Sequence, residues 1–145
     1  MKVIVTFVIL LIVVSIITYK IGYQSIKKPL IEVRKSNIHN KGVFTNYHIK
    51  KGKLVEIAPY IKLDDKNSVS DYVYNYTKDN TICLVFGYGS IYNHSDKPNI
   101  KFYVDPKNLN FEYYASKDIK KNEELFVNYG SKYWISRNIK PKLIN

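Results

Sequence analysis

Gly87-Tyr88-Gly89-Ser90-Ile91-Tyr92-Asn93-His94-Ser95-Asp96-Lys97-Pro98-Asn99 follows an apolar run, Cys83 to Phe86, and opens on two glycines. It closes as a dense polar cluster. Asn93 and Asn99 carry amides, His94 an imidazole and Ser95 a hydroxyl, while Pro98 removes a backbone donor. Side chains of these kinds bond to nearby backbone and hold chain in non-repeating shapes. Alone, the segment suits an ordinary surface loop as well as a functional site. Farther along, Glu124-Leu125-Phe126-Val127-Asn128-Tyr129-Gly130 is a strand-like run ending in a tyrosine and a glycine.

In this order and spacing the two segments resemble the signature motifs of the SET-domain protein lysine methyltransferases. In that family an Asn-His-Ser-x-x-Pro-Asn segment precedes a Glu-Leu-x-x-x-Tyr-Gly type segment, and the two cross in a pseudoknot around the active site. The first motif stands here as Asn93-His94-Ser95-Asp96-Lys97-Pro98-Asn99. The resemblance extends from about Ile31 to Arg137, and in overall shape it is nearest to the small virus-encoded members. It implies S-adenosyl-L-methionine as cofactor and a protein lysine as substrate, a histone tail being the usual family substrate.

Around these motifs the chain breaks into short extended pieces. Leu30 to Val33, Lys41 to Thr45, Ile82 to Phe86, Ile100 to Val104, Phe111 to Ala115 and Leu125 to Asn128 each predict a strand. Leu54 to Leu63 does too, with Pro59 requiring a bend or an edge. Pro106 to Asn108 predicts a hairpin loop, and Ser70 to Thr77 one or two helical turns. The expected fold class is mostly β, a SET fold with its pseudoknot, preceded by one transmembrane helix. The expected division is 1–22 anchor, 23–29 linker, 30–137 SET domain and 138–145 tail.

The site residues follow from the resemblance, position by position. In the family a Gly-x-Gly turn presents backbone to the cofactor; here Asn40, Lys41 and Gly42 occupy it, with asparagine in place of the first glycine. Asparagine tolerates positive φ better than other non-glycine residues, so the turn is expected to survive. Asn93 would bond the amino-acid end of the cofactor. His94 would act through its backbone and pin the crossing, as a structural histidine with both nitrogens satisfied rather than as a general base.

Tyr129 is the expected catalytic residue. Methyl transfer to lysine is an in-line displacement that needs a neutral amine, whereas free lysine has a pKa of about 10.4. An apolar aromatic channel penalises the ammonium, and a tyrosine hydroxyl at its base orients the lone pair. The chain holds 14 tyrosines, so only the place beside Gly130 at the end of the second motif distinguishes this one. Tyr72, Phe126 and Tyr133 are expected on the substrate side, and Trp134 as an aromatic lid over the cofactor adenine or the lysine stem.

Composition narrows the alternatives. A single cysteine, Cys83, excludes an internal disulfide framework, and its apolar surroundings suit a small buried hydrophobe. His39, His48 and His94 lack ligand partners at zinc-like spacing, so no metal is expected. The net charge of +11 arises from 23 basic and 12 acidic residues. No basic block exceeds two residues, which favours compositional drift over a polyanion site and gives nucleic acid at most an indirect part. A homodimer stays among the alternatives.

Val3 to Tyr19 carries no formal charge. Extended through Ile21 it reaches about 28 Å as a helix, close to the ~30 Å hydrocarbon core of a bilayer. It is longer than the roughly 7–15 residues of a signal-peptide core and has no small-residue cleavage site after it. Lys20, Lys27, Lys28, Arg34 and Lys35 follow it, while Lys2 and the amino terminus precede it. That excess places the domain in the cytosol, or in the host cytosol or at the virion membrane for a virus-encoded chain. A glycan on the sequon at Asn93 would fall inside the site, which also disfavours a lumenal domain. The competing reading is a catalytically silent SET-like module that binds a basic or membrane-associated partner.

Overall fold

The computed structural model describes residues 9–17, 28–63, 72–76 and 81–140. Its strands are β1 (Ile31–Lys35), β2 (Lys41–Thr45), β3 (Leu54–Leu63), β4 (Val73–Tyr76), β5 (Thr81–Val85), β6 (Asn93–His94), β7 (Ile100–Asp105), β8 (Asn110–Ala115) and β9 (Glu124–Val127). Residues 9–17 form helix α1 and Ser131–Arg137 form helix α2. Two sheets result, with strand orders β1-β2-β9-β6 and β4-β5-β3-β8-β7.

Alternation sets the core. Along β8, Phe111, Tyr113 and Ala115 are buried, and along β3 Ala58 and Tyr60 face them. Aromatic edges close the layer, with Phe111 5.3 Å from Tyr60 and 5.0 Å from Tyr74 between ring centroids. Cys83 is fully buried, and desolvation pushes its thiol up, as befits a packing residue. The β7–β8 turn is tied by Asp105, whose carboxylate accepts the Lys107 and Asn108 backbone N–H groups.

Pro59 lies mid-strand at a change of partner. Residues up to Pro59 pair with β8, whereas Tyr60 to Leu63 pair with β5. Its carbonyl accepts the N–H of Phe86, one residue past the end of β5, so its missing N–H falls where that ladder has run out. A register irregularity between Leu54 and Glu56 lets Val55 face inward as well, and leaves Glu56 on the core face with Ala58 and Tyr60.

Two elements differ from the sequence-based expectation. Val73 to Tyr76 is a strand, not a helical turn, because it gains a full register against β5 from Val73↔Leu84 to Tyr76↔Thr81. After the second motif the chain forms α2, started by Gly130 and stopped by Asn138 in the left-handed region at φ 52°. Of the expected anchor, only residues 9–17 are described; they are helical and exposed. Among the described residues no helix is long and apolar enough to cross a membrane.

Candidate active site

The two motifs lie side by side. β6 runs parallel to β9, with Asn93 opposite Phe126 and His94 opposite Val127. Asn99 clamps the pair from the first motif's end. Its Oδ1 accepts the Phe126 N–H at 2.8 Å, and its Nδ2 donates to the Glu124 carbonyl at 2.7 Å. The buried amide thus serves as an extra rung beside β9, which explains an asparagine at a position 2% exposed.

On one side of this crossing stands the glycine turn. Asn40 has φ 39°, the positive value expected of it. Gly42 has no such need; it is required by space, since a Cβ would collide with Glu124 Oε1 and stand 3.0 Å from Asn93 Nδ2. Asn93 Nδ2 donates to the Lys41 carbonyl at 2.9 Å and to Glu124 Oε1 at 2.7 Å, and Ser36 Oγ donates to Glu124 Oε2 at 2.9 Å. With both amide protons spent, the remaining capacity of Asn93 is its carbonyl oxygen, an acceptor matched to an ammonium group. That acceptor fits the ammonium of the amino-acid end of S-adenosylmethionine.

Just before the first motif, at Tyr92, and at the end of the second, at Asn128 to Gly130, the chain lines a cavity of about 300 Å³. Tyr74, Tyr92, Phe102, Tyr129 and Tyr133 wall it, and Tyr72, 58% exposed, stands at its rim. Among the described residues Lys132 is the one charged side chain in the lining. Phe126 lies outside it, and so do Asn40, Lys41, Gly42, Asn93, His94 and Trp134. The structure therefore divides the expected site residues into two groups that meet at Tyr129.

The hydroxyl of Tyr129 donates to the carbonyl of Tyr92 at 2.7 Å. Its ring stacks on Trp134 at 5.8 Å and 17°, and packs on Tyr133 at 4.6 Å and His94 at 5.4 Å. Burial first, then the neighbouring phenols of Tyr74 and Tyr133, push its ionisation above the ordinary tyrosine value. The residue stays a neutral phenol whose proton is committed, leaving lone pairs for an incoming donor. Tyr74 repeats the pattern, donating to the Gly89 carbonyl at 2.6 Å, with its ionisation pushed up to about 12 by burial.

His94 is a pin. Its Nδ1 accepts the Tyr129 N–H at 3.2 Å, so the ring proton lies on Nε2, which faces Asp96 Oδ1 at 3.1 Å. Asn128 Oδ1 accepts the Gly130 N–H at 2.7 Å, turning the chain sharply past Tyr129. Gly130 sits at φ 78°, ψ 157°, a region open essentially to glycine alone. Arg137 lies 3.9 Å from the ring centroid of Tyr133 and covers one of its faces.

Four contributors were not singled out from the sequence: Tyr74, Tyr92, Asn128 and Glu56. Tyr92 donates its hydroxyl to Glu56 Oε2 at 2.7 Å, and Glu56 Oε1 accepts the Tyr88 N–H at 2.8 Å. The available signal was an acid in phase with Ala58 and Tyr60 along a strand, which places a carboxylate on a core face. Among the described residues no three His, Cys, Asp or Glu side chains gather as a metal site.

Comparison with known proteins identifies the family and the fold. Residues 40–130 match the SET domain family. A histone-lysine N-methyltransferase of Schizosaccharomyces pombe, specific for H3 lysine-37, is 30% identical over 117 residues, covering 75% of this chain and 78% of its own. The crystal structure of a Plasmodium falciparum protein, named as a candidate histone methyltransferase, superposes with TM-score 0.61 at 31% identity. It covers 74% of this chain and 99% of that one. A Chaetomium thermophilum Polycomb Repressive Complex 2 structure shares the fold, with TM-score 0.58 at 23% identity over 69% of this chain and 15% of that one. These relatives come from cellular organisms and lend no support to the expected nearness to virus-encoded members.

Proposed function

This chain belongs to the SET-domain family, and from that premise we infer that it is a protein-lysine N-methyltransferase using S-adenosylmethionine. The observation that carries the reading is the Tyr129 phenol, whose proton is given to the Tyr92 carbonyl at the wall of an aromatic cavity. The apolar lining disfavours the ammonium form of a lysine entering it and lowers the cost of deprotonation. Tyr129 Oη, able only to accept, takes an N–H of the amine and turns its lone pair toward the cofactor side. S-adenosylmethionine, when bound, supplies an electrophilic sulfonium methyl group. Asn93, with Lys41 and Gly42 in the turn beneath it, holds the amino-acid end, and His94 fixes Tyr129 through its backbone N–H. Trp134 covers the junction of the two regions. Positioning and electrostatics then supply the rate, through in-line transfer without a covalent intermediate.

The substrate is a protein lysine. The relatives' names point to histone, while Lys132 at the cavity and the net charge of +11 oppose a strongly basic peptide at long range. Residues 1–22 are proposed as a membrane anchor, 23–29 as linker and 138–145 as tail, with the domain of 30–137 in the cytosol. The uncharged run Val3 to Tyr19 supports the anchor. Support for the cytosolic side comes from Asn93, 7% exposed with both amide protons engaged, which is unsuited to glycosylation.

The test is thermal unfolding of the full chain with and without S-adenosylmethionine, followed by labelled methyl transfer into a cell lysate. At 100 times its dissociation constant the cofactor adds about 2.7 kcal/mol. No shift and no labelling would return the chain to the silent binding module.

A further inference from the structure

Lysines that the sequence scatters in ones and twos come together at one end of the domain. The loop of residues 46–53 carries Lys50, Lys51 and Lys53, and that of 116–123 carries Lys117, Lys120 and Lys121; all six are exposed. Ile49 and Ile119 join the loops by reciprocal backbone bonds of 2.9 and 2.8 Å. Gly52 N–H adds a third tie to the Ala115 carbonyl at 2.8 Å. The acids here are Asp118, bound to Lys50 Nζ and the Lys51 N–H, and Glu123, which accepts the Lys120 N–H and Asn99 Nδ2. Six lysines against two acids leave an excess of four positive charges.

Residues 28–30 are bound at the same end. Tyr47 Oη donates to the Lys28 carbonyl at 3.2 Å, Asn46 Nδ2 to the Pro29 carbonyl at 2.9 Å, and Asn46 N–H to the Leu30 carbonyl at 2.9 Å. Tyr47, Leu30 and Leu54, each about two-fifths exposed, stand among the lysines. Tyrosine beside lysine is the residue pairing of a membrane interface. None of these residues lines the cavity.

We propose that this lysine-rich end is a docking surface for an anionic phospholipid bilayer, holding the domain flat on the membrane that residues 1–22 enter. The proposal rests on that anchor and not on the catalytic assignment. A linker of residues 23–29 spans at most about 25 Å, so the end carrying Lys28 is the part kept nearest the bilayer. Cytoplasmic leaflets are the anionic ones, which agrees with the orientation set by the flanking lysines. The tether decides against nucleic acid, because lipid headgroups meet this face first.

The test reconstitutes the full chain into vesicles of phosphatidylcholine alone or with about one-third phosphatidylserine, and reads each lysine by brief amine labelling and mass spectrometry. Labelling of Lys50, Lys51, Lys53, Lys117, Lys120 and Lys121 should fall about fivefold with phosphatidylserine, with Lys62 and Lys107 unchanged. About 1 M salt should restore it. Equal labelling in the two vesicles overturns the proposal. So does equal protection by duplex DNA added to the phosphatidylcholine vesicles.

Discussion

Tyr129 gives its hydroxyl proton to the backbone carbonyl of Tyr92 at 2.7 Å, and the Tyr92 side chain is itself anchored on the half-buried carboxylate of Glu56. One residue therefore sets the direction of the Tyr129 phenol through its backbone while its own hydroxyl reaches back to β3. The phenol is left with acceptor capacity alone, the capacity an amine donor requires.

Tyr129→Phe should keep the ring stacked on Trp134 while removing the hydroxyl, and with it both this acceptor and the bond to the Tyr92 carbonyl. Turnover on a lysine peptide is expected to fall by about 100-fold or more, in the range seen for loss of one oriented polar group. Stability should change by about 1 kcal/mol, and cofactor-induced stabilisation should persist. Turnover within tenfold of the parent would remove Tyr129 from the reaction.

The pH profile of the reaction should rise as the target amine loses its proton. Burial raises the Tyr129 pKa, so the neutral phenol persists above the ordinary tyrosine value of about 10. Its contribution to stability is present below that unfolded-state value and is lost only as pH climbs through the higher folded-state one. A reversible decline in turnover centred below pH 10, absent in Tyr129→Phe, would contradict this.

Glu56→Ala should leave the Tyr92 hydroxyl and the Tyr88 N–H without an acceptor, at about 1–3 kcal/mol for each. Burial holds the Glu56 carboxyl above its usual 4.5, against the bonds from Tyr88 and Tyr92. Its raised pKa favours the fold in acid, and that increment is lost as pH rises from 4.5 through the folded-state value. Urea unfolding across this window should show the fall in the parent and a flatter curve in the variant. Parallel curves would refute the assignment.

The two glycines should fail for different reasons. Gly130→Ala meets nothing within 4 Å, so its cost is backbone strain of about 1–3 kcal/mol, read by thermal unfolding, with Tyr129 displaced. Gly42→Ala drives a methyl into Glu124 and loosens Asn93. It should lose the cofactor-induced thermal shift while the domain still unfolds cooperatively. An undiminished shift would separate Gly42 from cofactor binding.

Much of the fold was legible because strand periodicity is local. Leu54 to Leu63 was delimited residue for residue, and the tight turn with a positive φ at Asn40 followed from the conformational tolerance of asparagine. Val73 to Tyr76 was misjudged as helical because its strand state depends on a ladder with β5, a partner the local pattern does not contain. Tyr72 was named for the cavity and lines it, whereas Tyr74 was not named. The structure places Tyr72 at the rim and Tyr74 inside, against Gly89 and Tyr113.

The sequence by itself determined the inventory and its order: the two motifs, their strands, an aromatic-rich chain and an uncharged leading run. The motif singled out Tyr129 among the 14 tyrosines, but only the tertiary structure decided what its hydroxyl is aimed at. It also gathered six separate lysines into one surface and turned the Glu56 carboxylate inward. The physical reason is range. Alternation and turn preference act between neighbours a few residues apart. The partner of a phenol or the company of a charge is set by segments distant in the chain, such as Tyr92 and Tyr129, that meet only when the sheets close.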